Sequence, residues 1–242
     1  MFDFTGKKVL ITGSTQGIGK ALAAGFAQYG ATVYINGATG MEKVRRVVEE
    51  LPGARPALCD LSRPDCAEVL YGITGDVDIL ILNASVQIRK AWNEITPEEM
   101  ERQIAVNFKA SVLLIEKYAP AMLEKRWGRI VTVGSVQQAK PHKDMLIYAA
   151  MKSAQENMAR NLAKQFAPFG VTVNNIAPGV IATPRNSDAL ADAAYAEKVM
   201  ASIPAACYGL AEDCSGQVLL LCSEAGRYLT GENIFIDGGM KL

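Results

Sequence analysis

Short apolar runs recur along the chain, separated by longer stretches in which apolar residues return every three or four positions. The short runs predict strands at Lys8–Thr12, Thr32–Asn36, Arg55–Cys59, Ile79–Leu82, Gly128–Val133, Val171–Ile176 and Asn233–Ile236. Most are continuously apolar, the pattern of a strand covered on both faces. The longer stretches predict helices at Ile18–Tyr29, Met41–Leu51, Pro64–Tyr71, Pro97–Lys125, Ile147–Phe169 and Glu212–Cys222. Thr96, standing before Pro97, Glu98 and Glu99, supplies a helix cap, a first-turn proline and first-turn acids. Strands alternating with helices predict an α/β fold, a doubly wound parallel sheet of about seven strands with helices on both faces. No linker, low-complexity segment or repeat intervenes, so residues 1–242 are expected to form a single domain. Residues 183–207 are the least sheet-like and are expected to form a helical flap beyond the strand ends.

Composition narrows the classes. Half of the 242 residues are hydrophobic, enough for one sizeable core. Lys+Arg and Asp+Glu number 25 each, so the chain carries no net charge to draw in a polyanion, and nucleic acid is not an expected partner. No apolar stretch approaches the ~18 residues of a membrane span, and the mature chain is expected to begin at or near Met1. Cysteines at 59, 66, 207, 214 and 222 form no C-x-x-C pair, and His142 is the sole histidine, so no metal site is expected. An odd cysteine count without a signal peptide fits a reducing cytoplasm.

Three stretches carry candidate chemistry. TGSTQGIG, 12–19, follows the first strand and opens a helix. Its glycines, Gly13, Gly17 and Gly19, permit a tight turn and close approach of backbone to a pyrophosphate at a helix N-terminus. The acid about 20 residues further on that would bond an NAD ribose is missing, since the second strand ends VYINGATG. A basic residue for the extra phosphate of NADP is equally absent at Gln16 and Ala38, leaving NAD or NADP open. In YAAMK, Tyr148 and Lys152 stand at i and i+4 on one helix face. An ammonium beside a phenol favours the phenolate, which suits proton transfer, although these two residues alone also fit an ordinary surface helix. Ser135 follows the strand Gly128–Val133, whose C-terminal end faces the same crevice as the glycine loop, and Asn107 is an amide among apolar neighbours.

In this order and spacing the TGSTQGIG loop, Asp60–Leu61, LNAS at 82–85, Asn107, Ser135, YAAMK and IAPGVIATP at 176–184 resemble the short-chain dehydrogenase/reductase family over essentially the whole chain. The resemblance implies a Rossmann-like sheet, an NAD or NADP cofactor, and metal-free interconversion of alcohols and carbonyls. It makes Tyr148 the general acid or base, Lys152 its partner and the holder of the nicotinamide ribose, and Ser135 a hydrogen-bond donor to the substrate oxygen. It also makes Asn107 the anchor of a water linking Lys152 to solvent. The cofactor is expected along Gly13, Thr15, Gln16, Gly17, Ile18 and Gly19. It would continue past Asn36, Asp60, Leu61, Asn83 and Ala84 to Tyr148, Lys152, Pro178, Gly179, Ile181 and Thr183. Two departures stand out. Ser85 occupies the place of a family glycine after Asn83–Ala84, and Ala206–Cys207 that of a frequent glycine–arginine pair.

The substrate is less legible. Gln87, Arg89, Gln137, His142 and Arg185 fall near the active-site end and suit a polar, hydroxylated and anionic small molecule, with arginine forks for a carboxylate or phosphate. The same arginines also fit solvated surface charges. NAS-VQIRK and TPRN resemble the family's sugar and sugar-acid dehydrogenases, such as gluconate 5-dehydrogenase. A 3-oxoacyl carrier-protein reductase and a non-catalytic dinucleotide sensor are the competing readings. Ala149, Ala150, Ser153, Ala154, Ala159 and Ala163 would let a helix pack closely on its own sheet or on a second copy, and the resemblance implies a homotetramer.

Overall fold

The computed structural model describes residues 2–242, apart from the side chains at 188 and 189; Met1, the expected start of the mature chain, lies outside the described residues. Seven parallel strands form one sheet: β1 Lys8–Ile11, β2 Thr32–Gly37, β3 Arg55–Leu58, β4 Ile79–Leu82, β5 Gly128–Val133, β6 Val171–Pro178 and β7 Asn233–Ile236. Their order is β3-β2-β1-β4-β5-β6-β7. The order reverses between β1 and β4, where Val9 pairs with Ile79, and such a switch opens a crevice at the carboxyl ends of the strands.

Helices α1 Gly17–Gln28, α2 Met41–Glu50, α3 Cys66–Thr74, α4 Pro97–Ile104, α5 Ala110–Glu124 and α6 Leu146–Phe166 follow in turn. After them come α7 Ser187–Ala191, α8 Ala193–Ala201 and α9 Ser215–Cys222. Side chains alternate across each strand, so the sheet supports two cores. Val9 and Ile11 pack with Leu22 and Phe26 of α1 and Val218 and Leu221 of α9. Leu10, Leu80 and Ile130 pack on the other face with Leu114 and Tyr118 of α5.

The expected elements are present, with several adjustments, among them the expected helix Ile147–Phe169, which ends at Phe166 in a 3-10 turn over Ala167–Phe169. β6 runs on to Pro178 because β7 pairs Ala177 and Pro178 with Phe235 and Ile236. α3 starts at Cys66 rather than Pro64 and continues until Gly75, whose φ of +58° ends it. The expected helix Glu212–Cys222 opens as a 3-10 turn over Ala211–Cys214. The expected helix Pro97–Lys125 is interrupted by a π turn at Ala105–Lys109. Its start behaves as expected: Thr96 Oγ1 accepts from Glu99 N–H, and Glu99 accepts from Thr96 N–H.

Residues 183–207 form a flap carrying α7 and α8. Its base is closed by Ala182 N–H donating to Gly209 O at 2.8 Å and by Gly209 N–H donating to Val180 O at 3.1 Å. Ala206 takes φ of +54°, a left-handed conformation that penalises a Cβ.

Candidate active site

The carboxyl ends of β1, β4, β5 and β6 and the flap enclose a cavity of about 740 Å³, a volume suited to a cofactor and a small substrate. Every residue expected to hold cofactor or substrate lines it, as do Ser135, Tyr148 and Lys152.

The glycine loop is shaped by close contact. Gly13 has φ of +63°, and a Cβ there would lie 2.9 Å from Ala84 Cα. A Cβ on Gly19 would lie 2.5 Å from Asn83 Nδ2. The Asn83 amide donates to Thr12 O and Gly13 O at 2.8 and 3.0 Å, tying the loop to the end of β4. Asn36 ties it to the opposite side. Its Oδ1 accepts from Gly13 N–H, and its Nδ2 donates to Ala57 O and Cys59 O. The side chain of Asn36 is thus spent on backbone and shapes the cofactor channel from beneath. The first turn of α1 has neither a side-chain cap nor an acid, so its N–H groups are open to an anion. Gln16, Gly17 and Ile18 face the cavity there. At the β2 end the wall is Gly37, Ala38 and Thr39, with no acid or base among them. Asp60 lies beyond, its Oδ1 accepting from Ser62 N–H and Oγ at 2.9 Å. These features fit a dinucleotide.

The reactive end is built on β5 and α6. Ser135 is 9 % exposed, and its Oγ accepts from Gln137 N–H at 3.2 Å. That bond occupies a lone pair and leaves the hydroxyl hydrogen free to donate. Lys152 is buried on the same helix face as Tyr148, its Nζ 5.6 Å from the phenol ring centre. Burial, reinforced by the positive charge of Arg185, pulls the Lys152 ammonium down from 10.5 to about 7. Asn107 is different: it is wholly buried and absent from the cavity wall. From the π turn its amide accepts from Val86 N–H and donates to Val86 O, both at 2.8 Å. It thereby pins the segment that follows β4.

The substrate end is cationic. Among the described residues, Arg89, Arg102, Lys143, Lys152, Arg185 and Lys198 line the cavity against one acid, Asp60. Arg185 does not present an open fork. Its two terminal nitrogens donate to Ser85 Oγ and Ser85 O at 2.7 and 2.8 Å. The serine that departs from the family glycine is therefore the acceptor that fastens the flap. Arg89 donates to Tyr195 Oη of α8 at 3.3 Å and lies over its ring. Tyr195 and Lys198 were not expected in the site, because nothing local marks a flap helix as facing inward.

His142 meets Arg89 at 3.4 Å through Nε2. Its Nδ1 accepts from Asp144 N–H at 3.2 Å, which places the neutral ring's proton on Nε2. Burial first, then Arg89, lowers the His142 pKa below its ordinary 6.5. In that tautomer both Arg89 Nη2 and His142 Nε2 carry hydrogens, and Arg89 Nη2 directs one to Tyr195 Oη.

A protein-family model described as Enoyl-(Acyl carrier protein) reductase matches residues 13–241. Glucose 1-dehydrogenase of Gluconobacter oxydans (strain 621H) is 36% identical over 249 residues, covering 99% of this chain and 93% of that protein. The 3-oxoacyl (acyl-carrier-protein) reductase of Agrobacterium tumefaciens C58, solved with NADP bound, aligns with a TM-score of 0.91 and 35% identity over 98% of this chain and 95% of that one. A gluconate 5-dehydrogenase from Burkholderia cenocepacia J2315, solved with NADP and tartrate, aligns with a TM-score of 0.90 and 29% identity over 99% of this chain and 96% of that one.

Proposed function

The chain belongs to the short-chain dehydrogenase/reductase family of NAD(P)-dependent oxidoreductases acting on CH–OH groups, and from that premise we propose that it interconverts an alcohol and a carbonyl on a small hydroxylated acid of the sugar-acid type. The observation that carries the substrate class is the pair of neighbouring donors, Arg89 and His142, in a wall whose described residues include six cations and one acid. A carboxylate oxygen lying beside the pair on the cavity side would accept from both. The relatives named for gluconate and glucose support the same reading.

When bound, the nicotinamide supplies the hydride-transfer chemistry. This chain's residues do the rest. Backbone N–H groups at the start of α1 receive the pyrophosphate. No acid stands at Gly37–Thr39 to repel a 2′-phosphate, so both NADP and NAD are admitted. Tyr148 gives its hydroxyl proton to the substrate oxygen in reduction and takes it back in oxidation, while the free Ser135 hydroxyl donates to that oxygen. Lys152 holds the ribose. Asn107 acts through the Val86 backbone, which it holds in the cavity wall.

Assembly and location extend the proposal. Met100 and Val112 of α4 and α5 and Leu146 of α6 are exposed, as are Tyr228 and Leu242 near the C-terminus. Ala149, Ala159 and Ala163 of α6 face the chain's own sheet, whereas Ala150 and Ser153 remain exposed. Exposed apolar side chains on α4, α5 and α6 and near the C-terminus support a homotetramer. All five cysteines are free, which agrees with a reducing cytoplasm. No helix among the described residues is long and apolar enough to cross a membrane.

The test is nicotinamide absorbance with NAD and with NADP against sugar acids, neutral sugars, polyols and acetoacetyl thioesters. Turnover on a sugar acid is expected, with Arg89→Ala raising KM about tenfold or more, the worth of one charge-assisted bond. Reduction of the thioesters alone would favour the oxoacyl reductase reading, for which the 35% identical relative speaks.

A further inference from the structure

Lys152 holds its ammonium in an unusual setting. The side chain is fully buried, and no carboxylate among the described residues pairs with it. Of its three N–H groups, one donates to Val133 O at 2.7 Å and another to Gln155 Oε1 at 2.9 Å. Gln155 lies one turn further along α6 and is itself completely buried. Its Nε2 donates to Ser111 Oγ of α5 at 3.0 Å. The orientation of the amide is settled by charge: an ammonium only donates, so the oxygen must face Lys152 and the nitrogen Ser111. Neither Gln155 nor Ser111 lines the cavity, so neither touches substrate or cofactor. A buried glutamine is costly unless both ends are satisfied. Here one end is satisfied by the ammonium and the other by a serine on a neighbouring helix.

We propose that Gln155 is a positioning residue for Lys152: clamped by Ser111, its amide oxygen holds the ammonium against Val133 O so that the third N–H is the one presented to the cavity. The proposal rests on the family role of Lys152 and is independent of which substrate the enzyme uses. The clamp also stabilises the charged form. Burial and Arg185 both disfavour that form, whereas Val133 O and Gln155 Oε1 favour it by accepting its protons. Glu156, the next residue, is turned to Gln138 and Arg160 instead.

The experiment is an NMR titration of protein labelled with 13C at lysine Cε, without cofactor or substrate. Lys152 should titrate near pH 7, and Lys152→Met assigns its signal by removing it. Gln155→Leu should lower the midpoint by about one to two pH units, the worth of one charge-assisted hydrogen bond. Gln155→Glu should raise it by at least about one unit, because a carboxylate then faces the ammonium. Ser111→Ala should give a smaller fall by loosening the amide. Opposite shifts from leucine and glutamate support the clamp, since a merely structural glutamine would change melting temperature without moving the midpoint in two directions. Unchanged midpoints in folded Gln155→Glu and Ser111→Ala proteins would overturn it, even if Gln155→Leu fails to fold.

Discussion

Replacing Lys152 by methionine should change how stability depends on pH, and the size follows from its burial. The folded protein holds this ammonium at about 7, against 10.5 for a free lysine side chain. Below pH 7 both folded and unfolded chains carry the proton, so stability there is flat with respect to this group. Between about 7 and 10.5 the unfolded chain binds more protons than the folded one, so stability rises with pH. From pH 7 to pH 9 the gain amounts to about 2 kcal/mol, or roughly 4–9 °C in melting temperature for a domain of this size. Lys152→Met lacks that gain. It also leaves Val133 O and Gln155 Oε1 without their donor, but that penalty does not vary with pH. Urea unfolding of both proteins without cofactor at pH 7, 8 and 9 measures the difference, in which all other titrating groups cancel. The wild-type protein should gain about 2 kcal/mol relative to the variant across that range. Parallel stability curves would refute the reasoning and mean that Lys152 keeps its charge in the fold.

Other substitutions test separate parts of the site. Tyr148→Phe should lower kcat by roughly 10²–10⁴ while NADP still binds in a fluorescence titration; full turnover would revive the sensor reading. Ser85→Gly removes one of two acceptors of Arg185, a loss of about 0.5–1 kcal/mol in this exposed setting. The flap over 186–207 should then be cut faster in limited proteolysis, and an unchanged rate would mean that the carbonyl bond alone holds it. Ala206→Gly relieves a Cβ at φ of +54° and should raise stability by about 0.5–1 kcal/mol, net of glycine's entropy, seen as a higher melting temperature.

What the sequence by itself determined is what short-range periodicity and steric demand can encode. Continuous apolar runs specified strands buried on both faces, and Thr96–Pro97–Glu98–Glu99 specified a helix start. Gly13 was legible because a positive φ and the approach of Ala84 exclude a Cβ. Tyr148 and Lys152 were legible because four residues along a helix make one face. The tertiary structure decided which polar groups meet. Arg185 reaches Ser85 across 100 residues, Arg89 reaches Tyr195 across 106, and Gln155 reaches Ser111 across 44. Nothing near Arg185 in the chain tells whether its fork is open to a substrate or closed on a serine. Nothing near Gln155 tells that its partner is a buried ammonium rather than water. Those pairings depend on how β4, β5, α5, α6 and the flap converge at one edge of the sheet. A charged or amide side chain takes its role from the donors and acceptors brought to it there, because burial makes an unpaired polar group too costly to leave unmet.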